Sequence, residues 1–167
     1  PPQPPTQGQA FSQWVNTILA IYGNAKELWE PGGPFYKVNQ QDVANADPHK
    51  LTLMLLQGAL DRIAYAKGAM ERKELVVKAD YISKASAIIM HLRDTLDLEV
   101  GGEVAENMFA LYNYMVEQLG NAHVKNDLKI LDEVSSLLTP IRDAWVQIPE
   151  DAKQEAYEAQ RQNRQAI

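Results

Sequence analysis

Apolar residues recur at spacings of three and four along most of the chain, a period that predicts helix. Phe11, Trp14, Val15, Ile18, Tyr22, Ala25 and Trp29 share one helical face, with Ser12 near the N-cap and Pro31, Gly32, Gly33 and Pro34 as a stop. Four further segments follow between residue 47 and about residue 148. Asp47 and Pro48 form an N-cap with proline at the first helical position, where its missing N–H costs nothing, and open a helix to about Met70. The second runs from about Glu74 to Leu98 on a face of Leu75, Ile82, Ala85, Ile89, Leu92 and Leu96, with Gly101 and Gly102 as its stop. The third carries Val104, Met108, Leu111, Tyr112, Met115 and Leu119 and is expected to end at Gly120 and Asn121. The fourth starts near Asn126 and Asp127 and carries Leu131, Val134, Leu137, Leu138, Ile141 and Trp145, with a kink expected at Pro140. No useful stretch alternates with period two, so strands are not expected.

Helices of about 20 residues are roughly 30 Å long, and short connections make sequential helices antiparallel neighbours. The expected fold is all-α: an antiparallel up-down four-helix bundle with an extra N-terminal amphipathic helix and a polar C-terminal tail. Residues 1–34 form a Pro/Gln-rich lead, the amphipathic helix and a Pro-Gly-Gly-Pro linker, 35–148 the bundle domain, and 149–167 the tail. The chain begins at Pro1, the start expected of a processed or trimmed product. The stretch Val15 to Tyr22 is too short to span a bilayer and has no basic residues before it, so neither a membrane span nor a signal peptide is expected.

Charge and chemistry narrow the function. A net charge of −6 over 167 residues is the wrong sign for nucleic acid or anionic lipid. The chain has no cysteine, which removes disulfides, thiolate ligands and thiol nucleophiles, and fits a reducing compartment. It contains no Gly-rich phosphate loop, no Gly-x-Ser-x-Gly turn and no Glu-x-x-His pair for a di-metal bundle site. His49, His91 and His123 are far apart and read as surface or capping residues; Asp94, Asp97 and Glu99 read as a solvated helix end. No catalytic, metal or cofactor role is expected.

The informative excess lies on the first bundle helix. Leu53, Leu56, Leu60 and Ile63 form one stripe, sufficient for a core, while Leu51, Met54, Leu55 and Tyr65 fall on another side. A second apolar stripe must be covered by the chain itself, a second copy or a partner. Small residues at Gly58, Ala59, Ala64, Ala66, Gly68 and Ala69 allow close approach, either of a partner helix or of a neighbour inside the bundle. The five methionines, Met54 and Met90 among them, fit either core or groove. Tyr112 and Trp145 are expected in the core and Tyr114 on the surface. Tyr36, with Phe35 in a polar connector, either covers an apolar groove or meets a partner.

Three stretches resemble a known family, the flagellin-specific secretion chaperones called FliS. The first is Ala46, Asp47, Pro48, His49, Leu51, Met54, Leu55, Gly58 and Ala59. The second runs from Lys84, Ala85, Ile88, Ile89 and Leu92 through Leu96, Asp97, Glu99, Gly101, Gly102, Glu103, Val104, Ala105, Asn107, Leu111, Tyr112, Tyr114 and Met115. The third comprises Asn121, Ala122, Asn126, Asp127, Glu133, Val134, Leu137, Leu138, Ile141, Ala144, Trp145 and Ile148. The resemblance covers about residues 35–148 and leaves 1–34 unrecognised. It implies a cytoplasmic helical bundle that binds the disordered C-terminal segment of flagellin, prevents premature polymerisation and assists delivery to a component of the type III export gate. It also implies that Tyr36 is the counterpart of a tyrosine in the family's N-terminal arm.

The expected partner-binding residues are therefore Tyr36, Leu51, Met54, Leu55, Tyr65, Met90 and Tyr114, without cofactor, nucleic acid or membrane insertion. Leu55→Asp is expected to weaken binding more than stability. The face of Phe11, Trp14, Val15, Ile18, Tyr22 and Trp29 is expected to dock on the bundle or on a neighbouring copy. The alternative is a regulatory or structural bundle that self-associates through its extra stripe.

Overall fold

The computed structural model describes residues 48–152 together with residues 154 and 158. Its helices are α1 (Pro48–Glu71), α2 (Leu75–Asp94), α3 (Leu98–Lys125) and α4 (Leu128–Val146). Each packs on two others in a ring: α1 on α2 and α4, and α3 on α2 and α4. Cross-contacts set the directions. Tyr65 meets Tyr81 between α1 and α2, Lys78 reaches His123 and Arg93 reaches Asn113 between α2 and α3, and Gln57 meets Arg142 while Lys67 meets Asp132 between α1 and α4. Low numbers on one helix thus face high numbers on the next, an antiparallel up-down bundle, with no strand among the described residues. The Asp47 cap, Tyr36 and the amphipathic segment Phe11 to Trp29 lie outside the described residues.

The centre of α1 differs from the leucine-led expectation. His49, Thr52, Leu56, Ala59, Ile63, Ala66 and Met70, alternating in steps of three and four, are all buried. Leu51 and Leu55 flank this line and are sealed with it at 3% exposure each, while Leu53 and Leu60 are only partly buried. The true stripe is rotated about 60° from the one the leucines suggest at 100° per residue. Alanines cause the shift: where helices approach most closely the side chain must be small, so Ala59 and Ala66 mark the centre and the leucines its edges.

Helix ends follow from local chemistry. Lys73 adopts a left-handed φ of 59°, Glu74 N–H donates to Ala69 O at 2.9 Å and Lys73 N–H to Met70 O at 3.2 Å, which together close α1 in a Schellman turn. Asn126, at φ 52°, does the same for α3 through Asp127 N–H to Ala122 O at 3.1 Å. Helix α3 therefore runs past Gly120 and Asn121, the expected stop, to Lys125. Asp127 then caps α4, accepting from Lys129 N–H at 2.9 Å.

At the other end α2 stops at Asp94 rather than Leu98, and the Thr95 hydroxyl donates to Leu92 O at 2.7 Å. Gly102 is not the stop of α2 but a break inside α3, at φ 54° and ψ −133°, a conformation reserved for glycine. Helix α4 continues through Pro140, which lies on its exposed side where the missing N–H leaves the Ser136 carbonyl near solvent. Leu75 and Val104, expected in the core, are exposed: Leu75 opens α2 at the tip of the bundle and Val104 lies on a flank of α3. Beyond α4, Ile148 and Ala152 are buried in the core, so packing extends into the segment read as a polar tail.

Candidate functional site: two flanks of α4

One flank of α4 is joined to α1 by polar contacts along its length. The His49 ring stacks on Trp145 with centroids 5.2 Å apart, and its Nε2 lies 2.7 Å from Trp145 O. Trp145 Nε1–H donates to His49 O at 2.9 Å, so two buried side chains bond reciprocally to each other's backbone. Further along, Arg142 donates to Gln57 at 3.0 Å and Lys67 to Asp132 at 2.7 Å. The expectation of a surface His49 is corrected by this contact. The spacing signal was present, because His49 heads the series that continues through Thr52, Leu56 and Ala59.

The other flank of α4 faces α3 differently. Tyr114, at 42% exposure, donates its hydroxyl to the Glu133 carboxylate across the seam, and Gln118 donates to the same hydroxyl at 3.2 Å. Holding the phenolic proton against a carboxylate raises the pKa of Tyr114. From this contact toward Gly102, Val104, Met108 and Leu111 continue on the same flank of α3, while Leu137, Ile141 and Ala144 continue on that of α4. Met108, Leu111, Leu137 and Ile141 pack against the core yet keep part of their surface outside, and Val104 and Ala144 are exposed. Exposed Glu103 and Glu106 lie on the same stretch of α3. Beside the hydrogen-bonded tyrosine these residues offer partly exposed apolar surface, able to take methyl and methylene groups.

The remaining expected site residues do not form one surface. Leu51 and Leu55 belong to the core, which corrects the reading of them as surplus apolar surface; Leu55→Asp would place a carboxylate in that core and unfold it. Met54 is partly buried against the core and Met90 is partly buried on α2. Tyr65 is exposed at 56% on the α1–α2 seam, its ring 5.2 Å from that of Tyr81, over which Lys84 Nζ sits at 5.6 Å. Of the small residues of α1, three are enclosed in the bundle, whereas Ala64 is exposed and Gly58 and Gly68 are half-buried. Ala59, Ala66 and Ala69 are fully buried, Gly58 has Ile88 Cδ1 and Arg62 Nη1 beside it, and the Arg72 guanidinium lies over Gly68.

Between α2 and α3, Lys78 is buried at 3% exposure with Nζ donating to Asn126 Oδ1 at 2.9 Å and His123 O at 3.3 Å. Its charge meets the negative end of the α3 dipole, which offsets the desolvation. Among the described residues no group of three acidic or histidine side chains is placed to hold a metal, and no helix is long and apolar enough to cross a membrane.

Comparison with known proteins gives this bundle a family. A family model described as flagellar protein FliS matches residues 34–152. The flagellar secretion chaperone FliSB of Pseudomonas aeruginosa is 46% identical over 106 residues, 64% of this chain and 84% of that protein. The flagellar secretion chaperone FliS of Vibrio cholerae is 42% identical over 104 residues, covering 62% and 76%. That of Bacillus subtilis is 39% identical over 114 residues, covering 68% and 84%.

Proposed function

Because the chain belongs to the FliS family of flagellar secretion chaperones, we propose that it binds the disordered C-terminal segment of flagellin in the cytoplasm, keeps it from polymerising early and assists its delivery to the export gate. This is a binding function, in keeping with relatives named as chaperones. The observation that carries the reading is the apolar surface along the α3–α4 seam, where Val104, Leu111, Leu137 and Ile141 are left partly uncovered by the bundle. A client segment gains by burying its apolar side chains there, and spends part of that gain on ordering itself. No covalent step is involved, so release needs only competition or a change of partner at the gate.

A calorimetric titration against flagellin tests it. Full-length flagellin should bind with a negative heat-capacity change and a gain of helix, and flagellin lacking its C-terminal segment should not bind. Equal binding of both forms would overturn the reading. A signal that depends only on the concentration of this protein would favour self-association instead.

A further inference from the structure

We infer that the end of the bundle formed by the α1–α2 and α3–α4 turns docks reversibly on an anionic bilayer surface, resting its aliphatic tip at the headgroup level. The docking does not rest on the proposed chaperone function. Two turns make the tip. Residues 71–77 are exposed without interruption, as are 123–126. Lys78 ties the two together, its Nζ donating from the first turn of α2 to His123 O at 3.3 Å and to Asn126 Oδ1 at 2.9 Å. On this end stand the most exposed large apolar residues of the described chain, Val76 at 84% and Val124 at 82%, with Leu75 next at 62%.

Shape selects the kind of partner. Leu75, Val76 and Val77 are consecutive and all exposed, so they point over roughly 200° of the helix circumference. A rigid groove covers one face of a helix and would leave the others wet. A bilayer surface closes around a blunt projection on every side, and burial of the aliphatic groups at the boundary of headgroups and acyl chains favours the contact.

Charge selects the lipid. Arg72, Lys73, Lys125 and Lys129 are exposed around the apolar groups, and Lys78 adds a buried cation between the turns. The carboxylates at this end are Glu71, Glu74 and Asp127. Glu74 is held by Arg72 at 2.9 Å, and Asp127 caps α4 by accepting from Lys129 N–H at 2.9 Å. Of the acids further down, Asp80 and Asp132 are paired with Lys84 and Lys67, while Asp61 and Glu117 lie about two turns or more along their helices.

The net charge of −6 argues against anionic lipid for the chain as a whole, but that charge is unevenly placed. Asp94, Asp97, Glu99, Glu103 and Glu106 lie around the α2–α3 turn, at the opposite end of the bundle. A 24-residue helix such as α1 is about 36 Å long. Fields between exposed charges are screened within about 8 Å at physiological salt. A bilayer touching the tip therefore meets its cations and not the distant acids, and the same separation of charge turns the tip toward a negative surface.

Co-sedimentation of the full-length protein with lipid vesicles tests this. The protein should pellet with vesicles of equal phosphatidylcholine and phosphatidylglycerol, fail to pellet with phosphatidylcholine alone, and be released as salt is raised. Val76→Glu and Val124→Glu should each weaken binding by about tenfold or more, and Lys125→Gln by about fivefold. Val146→Glu, at a 54% exposed position on the opposite end, should change nothing. Should a glutamate variant lose its fold by far-ultraviolet dichroism, Lys125→Gln and the lipid comparison still decide. No binding to the anionic vesicles would overturn the inference and leave the tip to an acidic protein. Equal binding to both lipids would overturn the role of charge. Binding that survives Val76→Glu and Val124→Glu together would place the lipid contact elsewhere in the chain, and a loss with Val146→Glu equal to theirs would reduce it to general adhesion; either result would overturn the tip as the docking surface.

Discussion

The two flanks of α4 use the same helix in opposite ways. Toward α1 it is joined by a stacked histidine and tryptophan, two reciprocal hydrogen bonds and two further polar contacts. Toward α3 the described residues show one hydrogen bond between side chains, from Tyr114 to Glu133, and beyond it aliphatic groups that pack inward without being covered. Hydrogen bonds between buried groups specify one geometry, since breaking them strands donors and acceptors. Aliphatic contacts are tolerant of what they meet. A bundle can therefore hold its shape on one side of a helix and leave the other for a second polypeptide.

The largest way to break this comparison is on the bonded flank. Trp145→Ala should cost about 3 to 5 kcal/mol, because it empties a buried site and removes the partner of His49, as read by urea denaturation. A loss no larger than that of a surface substitution would show that the bonded flank does not hold α4. On the open flank, Val104→Glu should leave the denaturation midpoint nearly unchanged while weakening flagellin binding by about tenfold or more. Val76→Glu, at the tip of the bundle and away from the seam, should change neither. A parallel loss of binding in both variants would mean that the client is held by general apolar surface rather than by the seam.

Smaller effects sharpen the picture. Thr52 Oγ1 is buried without a hydrogen-bond partner on the line where α1 packs. Thr52→Val keeps the shape, removes the unsatisfied hydroxyl and should stabilise by about 1 kcal/mol in denaturant titrations. Lys73→Gly relieves a left-handed residue that has a Cβ and should add up to about 1 kcal/mol. Finally, burial raises the pKa of Tyr112 well above its ordinary value of 10.0. A raised folded-state pKa means that the unfolded chain releases this proton first. Stability from this group is therefore complete below pH 10 and falls as pH rises further, and Tyr112→Phe should flatten that alkaline decline.

Much of this was legible in the sequence because it depends on neighbours close along the chain. The all-α bundle, the near positions of its helices, the Asp127 cap, the core placement of Tyr112 and Trp145 and the surface placement of Tyr114 all follow from period and residue type. What was misjudged depends on which face meets which helix. Leucines drew attention from the alanine line at the centre of α1, so Leu51 and Leu55 read as surplus when they complete the core. His49 read as surface because its partner Trp145 is 96 residues away. Gly102 read as a terminus because a glycine that ends a helix and one that bends it look alike in one dimension.

The sequence by itself determined that this chain forms helices, where most of them begin, and which family it belongs to, since propensity, capping and motif spacing are written in consecutive residues. Tertiary structure alone decided which apolar residues are enclosed and which remain to be shared. Enclosure depends on the rotation of each helix against its neighbours, and that angle is set jointly by the alanines, the distant hydrogen bonds and the shape of the completed ring.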